Sequence, residues 1–366
     1  MDGSSKVRHG PARRVVVWLV IGLVTATFLQ VVQIRALGGG LAALLSVGES
    51  SAMRPLIESE LGNVAMVPDA GHDGQTVYLI ARDPLGRGAA PTVMDHAGFR
   101  YRRILYPALG GLGGILSADA TVLGLTVTAM FAFGFACAGT AALAMSFGLS
   151  DRLAAAAVLC PGLWLSVQLL TVDALAVGLA LSGLALFRFQ RFKWALTVLV
   201  LATLAKDQML LIPLAAAAWS GTKGHTRNAA LLATIPTGAL LLWSTIANTA
   251  VGAGFTARGN LDWPFRGLAQ SIPVWPHVGA SDRFLAWFTV GSLAVAVVTI
   301  WLNRSNILSF LLAPWVALAA VSSNWVWELG NNVARVYAVT VPLVTIGIAA
   351  IWQSHGTDSP SEAVAR

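Results

Sequence analysis

Long apolar runs, separated by short polar segments, dominate the chain between residues 15 and 352. A run of about 17–25 apolar residues is long enough to cross the hydrocarbon core of a bilayer as a single helix. The runs and their polar breaks predict ten transmembrane helices, at 15–35, 120–148, 153–170, 174–188, 192–205, 208–219, 228–250, 284–302, 306–323 and 335–352. The pattern therefore predicts an all-α polytopic membrane protein, in which residues 1–366 form one membrane domain.

The composition supports this class and argues against others. Hydrophobic residues make up 56% of the chain and charged residues 11%, far from the averages of soluble domains. The formal net charge is +7, but the Lys and Arg residues punctuate apolar runs and form no basic face, so nucleic acid is not expected as a partner. Cys137 and Cys160 lie inside apolar runs, where a thiol behaves as a small hydrophobe.

The distribution of basic residues predicts the orientation in the membrane, because Lys and Arg accumulate in short cytoplasmic loops. With both termini inside, the cytoplasmic segments carry twelve Lys and Arg residues and four Asp and Glu residues. Residues 1–14 and 353–366 are then cytoplasmic tails, and the run 194–219 must break at Lys206-Asp207 into a hairpin of two short helices. Arg13-Arg14 also fits an export signal, but no small-residue cleavage site follows, which favours an uncleaved first span.

Two predicted outer segments, 36–119 and 251–283, are too long to be simple connections. The first is rich in Gly, Pro and charged residues, yet it contains apolar stretches such as 41–47. This mixture predicts short amphipathic helices that lie on the membrane surface. Any chemistry is therefore expected at the non-cytoplasmic face.

The first outer loop contains Asp73-Gly74-Gln75 shortly after Gly71. Such a turn can present a carboxylate at the start of a helix, here 75–81, where it can accept a proton or orient a hydroxyl. The alternative is that Asp73 only caps that helix. Asp83, in Ala81-Arg82-Asp83-Pro84, is the second acidic candidate, although Asp-Pro is also common where a helix ends.

Three arginines, Arg100, Arg102 and Arg103, crowd one short stretch that also holds Tyr101 and Tyr106. Guanidinium groups so close together must be paired or bound to an anion. Phosphate binding and snorkelling towards lipid headgroups are both open. The two tyrosines fit the pattern of membrane-interface anchors.

Ionisable residues within apolar sequence are functional by default and need a partner. Lys206 is predicted to meet a lipid-linked phosphate with Asp207 orienting it, and a simple turn is the rival interpretation. Arg335, at the start of the last predicted span, is expected either to hold phosphate or to pair with Glu328. Trp263, in the second long loop, is a candidate for stacking on a sugar, although interfacial tryptophans mostly anchor helices.

These motifs resemble those of a family of bacterial membrane proteins associated with cell-surface glycopolymer formation. The resemblance rests on Asp73-Gly74-Gln75, on Ala81-Arg82-Asp83-Pro84 and on Tyr101-Arg102-Arg103-Ile104-Leu105-Tyr106-Pro107, within a layout of many spans and a long first outer loop. The family is similar to glycosyltransferases of the C-type fold, which use polyprenyl-phosphate sugars. Thr76-Val77 stand where the family often has an aromatic pair, which weakens any inference about the sugar.

The resemblance implies a C-type glycosyltransferase-like fold in a bacterial plasma membrane. It also implies an inverting transfer of a sugar from a polyprenyl-phosphate donor to a glycan or lipid acceptor at the outer face. Asp73 would be the catalytic base, with Gly74 and Gln75 in supporting roles. Lys206, Arg335 and the three nearby arginines of the first loop would bind the lipid phosphate.

Two other functions stay open: a transporter or flippase of lipid-linked sugars, and a non-catalytic subunit of a glycopolymer assembly machine. Transporters place polar sites near the midplane of repeated halves, whereas here the ionisable residues cluster in outer loops and no repeat is found. Neither metal-ligand spacing nor a nucleotide-binding glycine pattern occurs, so no cofactor is expected beyond a loosely bound divalent cation on Asp73 and the phosphate. Asp173, between two outer span ends, has no assigned role.

Overall fold

The computed structural model describes residues 10–115, 117–252 and 259–356. Within these ranges four helices are long and apolar enough to cross a membrane, Pro11–Leu37, Ala118–Ser146, Thr226–Ala250 and Ala280–Leu302. A bent pair, Gly330–Val336 with Thr340–Ser354, passes the same test as one broken span. The protein is therefore a helical protein with four or five candidate membrane spans, which agrees in kind with the hydropathy pattern. The finer count of ten spans stays a prediction.

A long first helix is followed by a region of short elements that reaches residue 115. The elements, in chain order, are α1 Pro11–Leu37, β1 Val47–Gly48, α2 Arg54–Leu61, β2 Met66–Val67, α3 Asp73–Arg82, α4 Ala90–Val93, α5 Ala97–Tyr101 and α6 Leu105–Gly111, with 3-10 turns at Leu41–Leu45 and Leu112–Ile115. The two strands pair in parallel, with Val47 opposite Met66. The apolar pattern predicts no strands, and this small sheet is an addition to the expected all-α fold.

The middle of the chain forms helices α7 to α13, which are α7 Ala118–Ser146, α8 Ala155–Val158, α9 Pro161–Gln168, α10 Asp173–Arg188, α11 Phe192–Ala205, α12 Leu211–Thr222 and α13 Thr226–Ala250. The predicted break at Lys206-Asp207 is confirmed, because α11 ends at Ala205 and a 3-10 turn at Asp207–Leu210 precedes α12. The predicted span 153–170 is instead divided among a 3-10 turn at Asp151–Ala154, α8 and α9.

The last part of the chain begins with a short helix and continues with longer ones, α14 Arg266–Ser271, α15 Ala280–Leu302, α16 Ile307–Val321, α17 Asn324–Trp327, α18 Gly330–Val336 and α19 Thr340–Gly356, with a 3-10 turn at Trp275–His277. The chain bends by 55° between α18 and α19. The prediction of one helix over 335–352 is therefore wrong at its start, since Arg335 lies in α18. Most of the predicted tails, 1–9 and 357–366, lies outside the described residues.

Helix α7 is the packing centre of the bundle, and small residues let its neighbours approach closely. A Cβ atom added to Gly22 of α1 would lie 2.7 Å from the Cα atom of Gly134. A Cβ atom added to Gly178 of α10 would lie 2.8 Å from the backbone nitrogen of Ala136. Close backbone approach of this kind is typical of helix packing in membranes. It holds α10, whose first residue is Asp173, firmly against α7.

Helix α3 is a core helix, because every residue from Gly74 to Ala81 is buried. Short helices do occur throughout 36–119, as predicted. The expectation that these helices lie on the membrane surface is wrong for α3, which is enclosed by protein. Residues that begin α3 therefore face other parts of the fold, and not lipid.

A labelling experiment tests the orientation that the charge pattern predicts. Trp263 and Lys223 are exposed, and the two native cysteines are buried. We expect a membrane-impermeant maleimide to label Trp263→Cys in intact cells, and to label Lys223→Cys only after the membrane is opened. The unmodified chain, which should stay unlabelled, is the control. Labelling of Lys223→Cys in intact cells would show that the orientation is inverted.

Candidate functional site

A cavity of about 410 Å³ lies among the segment 36–119, the start of α10, the break after α11, and α18. This volume falls in the range of small-molecule sites, about 300–1,000 Å³. The charged residues that line it are Asp73, Arg100, Arg103, Asp173, Lys206, Glu328 and Arg335. All of these except Asp173 are residues that the sequence proposes for the site, and folding brings them together from opposite ends of the chain.

Five of these side chains form one ion-pair chain, Arg100–Asp73–Arg335–Asp173–Lys206. Arg100 Nη1 donates to Asp73 Oδ1 at 2.5 Å, and Arg335 Nη1 donates to Asp73 Oδ2 at 3.1 Å. Arg335 Nη1 also lies 3.7 Å from Asp173 Oδ2. Lys206 Nζ donates to Asp173 Oδ1 at 2.5 Å. Since charges alternate in sign along the chain, each charged group has an opposite charge beside it, which burial requires.

The turn before α3 sets the position of the Asp73 carboxylate. The N-cap of α3 is His72, and no side chain bonds to the free backbone N–H groups there, so Asp73 is not the helix cap. Gly74 cannot carry a side chain, because a Cβ atom would lie 2.6 Å from the Leu169 carbonyl oxygen. Gln75 donates to the Ala70 carbonyl oxygen at 2.6 Å, which fixes the turn from inside. Gly74 and Gln75 therefore support the site by packing.

Asp73 is held in its ionised form by its neighbours. Burial by itself would raise the pKa of this carboxyl group, but the charges of Arg100 and Arg335 outweigh burial and hold the pKa well below its usual range. The side chain stays 29% exposed. A carboxylate offers about four lone-pair directions, so two arginine bonds leave room for a further donor from the cavity.

His72 also lines the cavity, although it is not among the residues that the sequence proposes for the site. Burial, and after it the charge of Arg335, lowers the pKa of this imidazole below its ordinary value of 6.5. His72 is therefore neutral at pH 7 and able to accept a proton. Its position directly before Asp73 is the signal by which the sequence could have identified it.

Asp173 is the main site residue that sequence reasoning leaves without a role. It is buried at the first position of α10, where Thr171 Oγ1 donates to its Oδ2 at 2.7 Å. The prediction that Asp207 orients Lys206 is wrong, because Asp173 does so. Asp207 Oδ1 instead lies 3.6 Å from Arg103 Nε, too far for a hydrogen bond. An acidic residue between two apolar runs is a signal in itself.

The expected pair of Arg335 and Glu328 does not form. Besides Asp73, the Arg335 guanidinium donates to Asn332 Oδ1 at 2.9 Å and to the Asn331 carbonyl oxygen at 3.3 Å. Glu328 lines the cavity as a separate acid. Arg335 is thus fixed on several sides, and its charge is shared between Asp73 and Asp173.

The second acidic candidate and the proposed stacking residue lie outside the cavity. Asp83 follows α3 and accepts from the backbone N–H groups of Arg87 at 2.9 Å and Gly88 at 2.7 Å. Its carboxylate thus closes the loop that follows α3, and since α3 ends at Arg82, Asp83-Pro84 stands where a helix ends, as the alternative interpretation expects. Trp263 is 75% exposed and is not part of the cavity wall.

Three other candidate residues of the segment 36–119, Tyr101, Arg102 and Tyr106, do not line the cavity. Tyr101 and Tyr106 are buried in the protein core, so their interpretation as membrane-interface anchors is wrong. The Tyr106 hydroxyl donates to the Leu125 carbonyl oxygen at 2.9 Å and ties α6 to α7. Arg102 is not part of the cavity wall, whereas Arg100 and Arg103 are.

Comparison of the chain with protein-family models, with curated proteins and with solved structures finds no match. Across residues 10–115, 117–252 and 259–356, no three His, Cys, Asp or Glu side chains form a group that could hold a metal ion.

Removal of the Asp173 charge should destabilise the fold. In Asp173→Asn, the buried Lys206 ammonium loses its partner, and a broken buried pair costs about 3–5 kcal/mol. We expect a lower thermal unfolding midpoint in detergent, with partial recovery in Asp173→Asn/Lys206→Met, which removes both charges. Asp262→Asn, which removes one partner of an exposed pair with Arg266, is the control and should unfold as the unmodified chain does. Equal midpoints for all four proteins would disprove the structural role of the buried pair.

Proposed function

We propose that the protein is a membrane glycosyltransferase, which moves a sugar from a polyprenyl-phosphate carrier to a glycan or lipid acceptor. The observation that carries the proposal is the cavity in which the Asp73 carboxylate lies beside Arg100 and Arg335. Arg335 also approaches Asp173, which in turn pairs with Lys206. The reaction needs a base for the acceptor hydroxyl and cations for the departing phosphate. The cavity supplies both kinds of group.

The proposed reaction is a direct displacement. The acceptor oxygen attacks the anomeric carbon, and the bond from that carbon to the phosphate oxygen breaks, with its electron pair leaving on the phosphate. The hydroxyl proton passes to Asp73. Since the attack comes from the side opposite the phosphate, the product has the inverted anomeric configuration. Arg100, Arg335 and Lys206 stabilise the charge that develops on the phosphate.

The ion-pair chain also offers a way to activate the base. In the free protein Arg100 and Arg335 lower the pKa of Asp73, which makes its carboxylate a weak base. A donor phosphate that binds to these arginines draws their charge away from Asp73 and adds a negative charge nearby. Both effects raise the basicity of the carboxylate. Asp73 would thus become a stronger base only when the donor is bound.

Exposed apolar residues in the cavity lining support a lipid carrier. Trp325 and Leu329 line the same cavity and are 64% and 44% exposed. A lining that holds both cations and exposed apolar side chains suits a ligand with a phosphate group and a hydrocarbon chain. A soluble sugar phosphate would leave these apolar surfaces uncovered.

One observation favours a transporter of lipid-linked sugars as the second candidate. The helix break at Lys206 places a buried ion pair at the end of a discontinuous helix, an arrangement that transporters use. The two functions differ in their products, because transport leaves the sugar–phosphate bond intact.

Removal of the proposed base tests the proposal. We expect Asp73→Asn to lose about 10²–10⁴-fold in sugar transfer, since general base catalysis contributes about that much. The measurement is transfer by the purified protein from a panel of polyprenyl-phosphate sugars. Asp83→Asn is the matched control, and it should keep full activity because its carboxylate lies outside the cavity.

Retention of transfer in Asp73→Asn, with an unchanged unfolding midpoint, would show that another group is the base. Equal losses in both variants would point to damage of the loop rather than to catalysis. Movement of lipid-linked sugar across vesicles by the unmodified protein, without any transfer, would replace the proposal with the transporter.

The pH dependence of transfer distinguishes Asp73 from His72 as the base. The pKa of Asp73 is depressed, so its carboxylate is ionised well below pH 7, and we expect kcat/KM to show no acidic limb between about pH 5 and pH 8. His72, whose pKa lies below 6.5, gains a proton as the pH falls, and a base at that position would produce such a limb. An acidic limb that disappears in His72→Gln would assign the base to His72.

A further inference from the structure

A second cavity, of about 300 Å³, lies at the other end of α10 from the ion-pair chain. Helix α10 has 16 residues, and at 1.5 Å per residue Asp173 at its first position lies about 22 Å along the helix axis from Arg188 at its last. The cavity is lined by Phe147, Arg188, Trp219, Lys223, Asn303 and Asn306, among others. Its lining contains two cations and no acidic residue.

Arg188 is the central cation of this cavity. Its guanidinium carbon lies 4.4 Å from the centre of the Phe147 ring, and its Nη2 donates to the Ser146 carbonyl oxygen at 3.3 Å. Its Nε atom is buried and makes no hydrogen bond. Within the described ranges, no carboxylate lies at ion-pair distance from Arg188. A guanidinium group with five N–H donors is thus bonded to one carbonyl oxygen only.

Two further donors of the same cavity are also without an acceptor. Trp219 Nε1 and Asn303 Nδ2 are buried and make no hydrogen bond with the described residues. Buried donors are almost always paired in folded proteins, because an unpaired donor loses its bonds to water and gains nothing in return. None of these three N–H groups has an acceptor among the described residues, so a ligand that carries several acceptor oxygens would satisfy them together.

A structural explanation accounts for only part of this arrangement. Arg188 and Lys223 lie at the C-terminal ends of α10 and α12, where the helix dipole attracts cations. The dipole gives no reason for the unpaired Trp219 and Asn303 donors. An anion bound in the cavity accounts for all four groups, because it accepts from the N–H donors and balances both charges.

We propose that this cavity binds the phosphate group of a phosphate ester. Arg188 would hold two phosphate oxygens, as guanidinium groups commonly do, while Trp219 and Asn303 donate to the same group and Lys223 adds charge at the opening. Two large apolar side chains close to this cavity in sequence are exposed: Phe189, which follows Arg188, and Trp301, which lies two residues before Asn303. A membrane phospholipid is therefore the source that fits the surroundings, since aromatic side chains gather at headgroup depth.

The test uses the purified full-length protein in a neutral detergent and a buffer without phosphate. Phosphatidylglycerol, inorganic phosphate, and diacylglycerol as the phosphate-free lipid are added in separate titrations. Binding is followed by native mass spectrometry and by the shift in thermal unfolding. The variants are Arg188→Gln and Arg191→Gln, which remove one charge each from the same end of the bundle. Arg191 is exposed and outside the cavity, which makes it the matched control.

We expect phosphatidylglycerol to raise the unfolding midpoint and to lose at least about tenfold in affinity in Arg188→Gln, with no loss in Arg191→Gln. If only inorganic phosphate shifts the midpoint, and this shift depends on Arg188, the cavity is still a phosphate site but its ligand is soluble. An equal shift with diacylglycerol, equal losses in the two variants, or no shift with either phosphate probe would overturn the proposal.

Trp219→Phe gives an independent measurement if Arg188→Gln does not fold. This change keeps an aromatic ring against Phe187 and removes only the unpaired N–H donor. We expect the variant to be as stable as the unmodified protein in lipid-free detergent, and to gain less from phosphatidylglycerol. An identical gain in both proteins would show that the Trp219 donor does not contact the phosphate.

Discussion

The structure depends on the pairing of charges that the fold removes from water. Asp73 and Asp173 each lie between two cations, and Arg335 joins the two carboxylates. An unpaired charge in this position would cost on the order of several kcal/mol, so the segment 36–119, α10, the break after α11 and α18 must meet in one arrangement. The ion-pair chain therefore fixes the geometry of the cavity as well as its chemistry.

The same pairing sets what the cavity can bind. Four cations face three acids in the lining, so the walls carry a small excess of positive charge. A phosphate group can replace a carboxylate as the partner of an arginine without leaving a buried cation unpaired. Asp73 is the carboxylate that such an exchange would release, and uptake of a proton by Asp73 would remove the cost of leaving its charge unpaired. Structure and proposed catalysis thus use the same groups in different pairings.

Local sequence signals predict many of the residues that form the cavity, but they do not predict which distant residues pair with one another. The turn at Asp73-Gly74-Gln75, the helix break at Lys206 and the clustered arginines are each visible within a few residues. The partner of Lys206 lies 33 residues away, and the second partner of Asp73, Arg335, lies 262 residues away, so no spacing rule reveals them. The same limit explains why the partners predicted for Asp207 and Arg335 differ from those in the structure. It also explains the unexpected burial of α3, because that burial depends on elements that pack around the helix.

The two ends of α10 differ in a way that hydropathy does not show. At Asp173 each charged group has an opposite charge within the protein, so this end is stable before any ligand arrives. Near Arg188, three buried N–H donors lack acceptors in the part of the chain that the structure describes, and the residues that line the cavity include no acid. A site whose charges are paired within the protein favours exchange of ligands, as turnover requires. A site with unpaired N–H donors favours retention of an anion. The first cavity therefore suits a substrate that comes and goes, and the second suits a phosphate that stays bound as part of the folded protein.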